Sequence, residues 1–289
     1  MGAPMETSKT PAARVARALH VKEGVARPVE DRLVVEGALQ IVVNGEPYSV
    51  TMRTPGEDAE LAFGLLYAEK VFDSFEDVVA VAEDAGCEGS GTVSLTVERA
   101  RTAQGTRRLA STASCGVCGL VSAESLGVTA RDISARRDGR LDLSLLETLE
   151  GRMRSAQALF QLTGGCHGAA LFNLAGDLLV LREDVGRHNA VDKAVGALLR
   201  AGRLDEAAVL FTSGRVSYEI VAKAARAGIR FLLAVSAPST LAVDTSREAG
   251  ITLVAFCRGG KGTVYTHPDR VAGCAAAEGS LAETMEVES

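Results

Sequence analysis

The chain has 289 residues, 47% of them apolar, a formal net charge of −6 and no Trp. That length admits one large domain or two modest ones around a sizeable core, and the lack of a long basic run argues against bulk nucleic-acid binding. No apolar stretch reaches the ~20 residues a membrane helix needs, and the basic N-terminus has no apolar core of a secretory signal.

The chain therefore reads as cytoplasmic, with no nucleic-acid or membrane partner. In that compartment its six Cys are expected to be reduced, catalytic or metal-binding rather than paired in structural disulfides.

Residues 1–28 mix Pro, Ala, Lys and Arg without periodicity and read as a loose tail. A β signal runs over 33–54, where Asn44-Gly45 sits between two β-rich runs. That dipeptide is a strong hairpin cue, because a type I′ turn needs φ > 0 twice in succession. Pro55-Gly56-Glu57-Asp58 opens a helix. Acids in its first turn complement the helix dipole, and its apolar face includes Leu61, Leu65 and Leu66. Strands are predicted over 78–81 and 93–97.

Residues 100–125 break the pattern with basic, small and Gly-flanked residues. They read as a mobile loop, the usual place for a group that must meet a partner. A linker-like stretch reaches 142, and a helix follows over 144–155. Residues 168–172 and 178–182 flank Asn173-Leu174-Ala175-Gly176-Asp177 as a second hairpin. The spacing then predicts a helix over 189–201, a strand over 209–212 and a helix over 217–227 ended by Gly228. A strand over 231–235, a short helix over 241–249 and a last strand over 252–256 complete the series. Strands alternating with helices imply right-handed βαβ units and a mixed, mostly parallel sheet, hence an α/β fold with an α+β N-terminal part. The boundaries expected are a tail to 28, a β-rich domain over 29–140 carrying the Cys loop, an α/β ligand-binding domain over 141–275 and an acidic tail over 276–289.

Cys115-Gly116-Val117-Cys118 is the sharpest feature. A thiolate attacks sulfur well, and a second Cys three positions on can resolve a disulfide or persulfide. Other readings stay open on these residues alone. A zinc half-site needs a further ligand pair, for which Cys166-His167 is a candidate of unusual spacing. A thioredoxin-type pair belongs at a strand-to-helix junction, and a structural pair needs no chemistry.

Further on, Thr163-Gly164-Gly165-Cys166-His167-Gly168 allows close backbone approach to a ligand; its plainer reading is a tight turn entering a strand. Arg182-Glu183-Asp184-Val185-Gly186-Arg187-His188-Asn189-Ala190-Val191-Asp192-Lys193 is unusually polar for a strand-to-helix junction, the place where α/β sheets bind ligands. A capped helix with surface ion pairs is the alternative. Three more strand ends run into Ser213-Gly214-Arg215, Ser236-Ala237-Pro238-Ser239-Thr240 and Cys257-Arg258-Gly259-Gly260-Lys261. Hydroxyls and Gly ahead of a helix N-terminus offer free N–H groups to an anion, and Arg and Lys add charge for phosphate. Neither a P-loop ending nor an ordered GxGxxG is present, so an ordinary ATPase or Rossmann dehydrogenase is not supported.

In this order and combination the segments resemble the formate dehydrogenase accessory sulfurtransferase family over about residues 30–270. The resemblance rests on the Cys115–Cys118 pair, the Thr163 to Ala169 and Glu183 to Lys193 runs, Thr212-Ser213-Gly214-Arg215, Ser236-Ala237-Pro238-Ser239 and Phe256-Cys257-Arg258-Gly259. It implies a sulfur relay. A cysteine desulfurase hands sulfur to the accessory protein as a persulfide, which passes it to the molybdenum of the bis-guanine-dinucleotide cofactor for the formate dehydrogenase catalytic subunit. The family's persulfide cysteine maps onto Cys115, with Cys118 assisting release. Its cofactor-contacting stretch maps onto Phe256, Cys257, Arg258, Gly259, Gly260 and Lys261. Ser213, Gly214, Arg215, Ser236, His167, Arg187 and His188 are the further candidate contacts. A guanine nucleotide such as GDP is expected at the same site, the protein is expected to be a homodimer, and no resident metal is implied. The family's C-terminal fold is similar to the three-layer α/β fold of cytidine deaminases, but the H-x-E and P-C-x-x-C that hold their zinc are absent here. A non-catalytic cofactor chaperone and a zinc protein using the CxxC remain the rival readings.

Overall fold

A computed structural model of the protein describes residues 12–86, 89–98, 100 and 139–272. In chain order these form β1 (Ala13–Lys22), β2 (Val25–Val34), β3 (Gly37–Val43), β4 (Glu46–Arg53), α1 (Asp58–Ala68), β5 (Val78–Ala85) and β6 (Gly91–Val97). Next come β7 (Leu141–Asp142), α2 (Leu145–Ala156), α3 (Ala158–Thr163), β8 (His167–Phe172), β9 (Leu178–Asp184) and α4 (Arg187–Arg200). The series ends with β10 (Val209–Thr212), α5 (Tyr218–Arg226), β11 (Phe231–Ala234), α6 (Thr240–Ala249), β12 (Thr252–Arg258), β13 (Lys261–Val264) and β14 (Val271–Ala272). No described helix is long and apolar enough to cross a membrane.

The described residues form two compact units that interleave along the chain rather than meeting at one boundary. The first holds the described residues of 12–100 together with 157–168 and 182–200; the second holds 139–156, 169–181 and 201–272.

In the first unit a four-stranded sheet runs β4-β3-β6-β5, with β3 antiparallel to β4 and parallel to β6. Asn44 and Gly45 both take positive φ (52° and 84°), as the hairpin cue requires. The Asn44 side chain also clasps β6, donating to Val97 O (3.0 Å) and accepting from Val97 N (2.8 Å). Helices α1 and α4 pack with their backbones close together. A methyl added at Gly64 would overlap the carbonyl of Asp192, and one at Gly196 the carbonyl of Glu60. Arg53 is 1% exposed; it donates to both carboxylate oxygens of Asp58 (2.8 and 2.6 Å) and to the carbonyls of Gly37 and Gly89. That pairing meets the demand that a buried guanidinium be fully hydrogen-bonded.

Residues 13–28 correct the expectation of a loose tail, because they belong to the antiparallel β1–β2 ribbon. Its turn uses Glu23 and Gly24, both at positive φ (53° and 79°). The sequence hid the ribbon because Ala and Arg interrupt the alternation of Val15, Leu19, Val21, Val25 and Val29, all of which stay exposed.

The second unit is built on a sheet of order β13-β12-β11-β10-β8-β9, to which β8 contributes 169–172 and β9 contributes 178–181. Parallel pairing runs through β10, β11 and β12. The β8–β10 and β12–β13 pairs are antiparallel, so the sheet is α/β and mixed, not mostly parallel. Phe172, Phe211, Phe231, Leu233 and Val254 form one apolar face with Leu146, Leu149 and Met153 of α2. The alternate residues Leu210, Leu232 and Leu253 are as fully buried, as expected of strands covered on both faces. Helices α5 and α6 pack together, and α6 packs on β12.

Candidate functional site

The carboxyl ends of β10, β11 and β12 bring three of the sequence-predicted segments together. Val235 N donates to Thr212 O (3.0 Å), Val216 N to Ala237 O (3.1 Å) and Ser239 N to Val216 O (3.0 Å), and Val216 bridges Pro238 in parallel. Phe256 N donates to Ser236 O (3.3 Å). Ser213-Gly214-Arg215, Ser236 and the segment beginning at Phe256 therefore lie along one sheet edge, as ligand-binding loops of parallel sheets do. The helix-cap expectation needs correcting. The N-cap of α5 is Ser217, beyond Ser213-Gly214-Arg215, whereas that of α6 is Ser239, within the expected segment, and its side chain accepts from Ala242 N (3.2 Å). Gly214 N is also taken, by Thr212 Oγ1 (3.3 Å). Ser213 and Gly214 are largely covered, whereas Arg215 is exposed.

The third junction differs more. β12 runs directly into a hairpin rather than a helix; Arg258 pairs with Lys261 across a turn made of Gly259 and Gly260, whose φ values are 56° and 73°. Gly-Gly between strand residues is itself a type I′ hairpin cue. Phe256 lies at a bulge with φ 55° and is 49% exposed. Left-handed backbone is unfavourable for a residue with a side chain, so the fold holds an aromatic outward at a local cost. Cys257, placed among the ligand contacts from sequence, is instead a core residue, 1% exposed. Its thiol donates to Val254 O (3.6 Å), and burial pushes it up to about 11. Arg258, Gly259, Gly260 and Lys261 are exposed.

Sequence reasoning missed Glu150. It projects from α2 and its Oε2 accepts from Gly259 N at 2.6 Å. The available signal was the Glu147/Glu150 pair, one helical turn apart on one face.

The polar run from Glu183 to Lys193 turns out to be largely interior architecture of the first unit. Asp184 and Lys193 are both fully buried, with Lys193 Nζ 2.9 Å from Asp184 Oδ2 and 2.8 Å from Thr54 O. Asp184 also accepts from Thr54 N (3.0 Å), Gly186 N (2.8 Å) and Asn189 Nδ2 (3.0 Å). Asn189 Nδ2 further donates to Met52 O (2.7 Å). These bonds fasten the β9–α4 junction to the end of β4. Glu183 caps α3 by accepting from Leu159 N and Phe160 N (both 2.8 Å) and takes the Cys166 thiol at 3.4 Å. Burial, and then the Glu183 charge, push that thiol up to about 12. His167 opens β8, and Arg187 and His188 open α4. All three are half-buried, belong to the first unit and are engaged with neighbouring groups.

Cys115, Cys118, Cys87 and Cys274, with Arg107 and Arg108, lie outside the described residues. Among the described residues no group of three or more His, Cys, Asp or Glu is arranged to hold a metal ion.

The model of the FdhD/NarQ family matches residues 34–272. A Streptomyces avermitilis protein named sulfur carrier protein FdhD is 44% identical over 271 residues, covering 90% of this chain and 96% of that protein. One of the same name from Sulfolobus acidocaldarius is 40% identical over 252 residues, covering 87% and 95%. A crystal structure from Desulfotalea psychrophila, described as a formate dehydrogenase accessory protein, shares the fold with TM-score 0.73 and 23% identity, over 90% of this chain and all of that one.

Proposed function

This chain belongs to the FdhD/NarQ family, and from that premise we propose that it carries sulfur as a persulfide on Cys115 and delivers it to the molybdenum bis-guanine-dinucleotide cofactor required by a formate dehydrogenase. The near-full-length match to sulfur carrier proteins is the observation that carries this reading. The thiol chemistry supports it. Sulfur transfer needs a thiolate at neutral pH, and the two described cysteines, Cys166 and Cys257, are buried with thiols pushed up to about 12 and about 11. The Cys115-x-x-Cys118 pair, in a Ser- and Gly-rich context with Arg107 and Arg108 nearby in sequence, has the composition that favours an anionic sulfur.

In the proposed relay the Cys115 thiolate attacks the terminal sulfur of a cysteine desulfurase persulfide. The donor S–S bond breaks, the donor thiolate leaves, and Cys115 holds the sulfur as S–S⁻. Delivery as sulfide needs two electrons. The Cys118 thiolate supplies them by attacking the inner sulfur of Cys115: a Cys115–Cys118 disulfide forms, and the terminal sulfur passes to the metal of the substrate as sulfide. A cellular thiol then reduces the disulfide. The bound substrate's guanine nucleotide, for which GDP is the simplest probe, is read by Phe256, Arg258, Gly259, Gly260 and Lys261 with Ser213, Gly214, Arg215 and Ser236. His167, Arg187 and His188 are kept as candidate ligand residues of the first unit in their own right. Residues 141–275 are read as a cytidine-deaminase-like domain, and the protein as a cytoplasmic homodimer.

Incubation with a cysteine desulfurase and cysteine, followed by intact-mass and peptide analysis, tests the relay. One added sulfur atom on Cys115 is expected, lost in C115A while GDP binding persists. An unmodified wild-type protein, or an undiminished gain in C115A, refutes the carrier role.

A further inference from the structure

We propose that Glu150 is a tethered competitor for the anionic part of the ligand at the Arg258–Lys261 turn, setting how much negative charge a ligand must bring to seat there. The inference rests on the reading of this turn as a nucleotide site. A backbone N–H at the tip of an exposed two-glycine turn is normally left to water or to a ligand. Here the Gly259 N–H is held by the Glu150 carboxylate at 2.6 Å, a charge-assisted bond of the kind a phosphate oxygen makes. A Cβ built on Gly259 would meet nothing within 4 Å, so the turn is open to an approaching group. Arg258 and Lys261 flank the donor and are exposed. Neither forms an ion pair among the described residues, although a carboxylate bonds the backbone between them. Glu147 stands one helical turn away, its Oε2 3.7 Å from the position of a Cβ on Gly260.

One backbone donor and two exposed cationic residues thus share the turn, and an anion of the chain's own occupies the donor. An incoming diphosphate must displace the Glu150 carboxylate or sit beside it. Like charges about 5 Å apart in a wet surface site repel enough to change affinity roughly 4- to 20-fold. A merely structural clamp would act with the opposite sign, because removing it would loosen the turn and weaken binding.

Titration calorimetry on the full chain separates the two. E150Q, which keeps an acceptor for Gly259 N–H but not the charge, and E150A are titrated with GDP, pyrophosphate and uncharged guanosine. GDP and pyrophosphate are expected to bind both variants roughly 4- to 20-fold more tightly than wild type, by an amount that shrinks with added salt; guanosine is expected to be unaffected. Unchanged or weaker GDP binding by the variants, with measurable binding by wild type, overturns the competitor role and leaves the nucleotide site standing. Absence of GDP binding by all three proteins overturns the nucleotide reading and this inference with it.

Discussion

Lys193→Met is the most direct probe of how the polar run after β9 works. The Lys193 ammonium is fully buried, 2.9 Å from Asp184 Oδ2 and 2.8 Å from Thr54 O. Methionine conserves most of the aliphatic volume but strands a buried carboxylate and a buried carbonyl. Removing one partner of a buried ion pair costs about 3–5 kcal/mol. Asp184 keeps three donors, from Thr54 N, Gly186 N and Asn189 Nδ2, so the loss belongs at the lower end, about 3 kcal/mol. For a chain of this size that is roughly 6–12 °C in melting temperature. Neutralising the stranded group as well, in D184N/K193M, is expected to recover about half of the loss, since the cost lies mainly in the unpaired charge. Chemical denaturation of the wild type, the two single variants and the double variant measures both numbers. A K193M protein within about 1 kcal/mol of wild type would refute the reasoning, because a buried ammonium that anchors Asp184 cannot be removed at so small a cost.

The buried thiols give a second expectation. With their thiols at about 12 and about 11, Cys166 and Cys257 hold roughly 10⁻⁵ and 10⁻⁴ of thiolate at pH 7. Both should resist iodoacetamide in the native protein, and C166S should leave persulfide formation intact; rapid native alkylation of either would contradict the assigned burial. Because burial raises both folded values, the stability they contribute is fully present below the unfolded thiol's ~8.5 and is lost as pH rises toward 11–12. The slope is about 1.4 kcal/mol per pH unit for each group. C257A should flatten part of that alkaline loss in a melting series. G196A should destabilise by about 1–3 kcal/mol through overpacking against the Glu60 carbonyl, even though Ala is the better helix former. A stabilised G196A would show that α1 and α4 are not in backbone contact. F256G removes a side chain from left-handed backbone, so stability should hold or rise by up to about 1 kcal/mol. Its GDP affinity should fall about 5-fold or more, as loss of a stacking face implies, and retained affinity would dismiss Phe256 as a contact.

The regular elements were legible where one physical signal dominated. Asn44-Gly45 declared its hairpin, and the βα series from 209 onward followed the alternation of apolar strands with amphipathic helices. The β1–β2 ribbon was not legible because both its faces carry polar and apolar residues, which cancels the period-2 signal that alternation relies on. The site was legible in its polar residues but not in their use. Asp184, Asn189 and Lys193 carry the same residue types as a ligand cluster, and sequence cannot tell an inward carboxylate–ammonium pair from an outward one. What decides it is the neighbours: α4 is buried at Ala190, Val191, Ala194, Val195 and Leu198 as well as at Lys193, so Lys193 lies on a stretch of helix buried on most sides. Gly259-Gly260 shows the converse error. A phosphate-loop reading and a hairpin reading use the same two glycines, because both need positive φ. The turn therefore presents its donor on a β-hairpin rather than at a helix N-terminus. No helix dipole then assists an anion there, and Arg258 and Lys261 must supply the positive charge against Glu150.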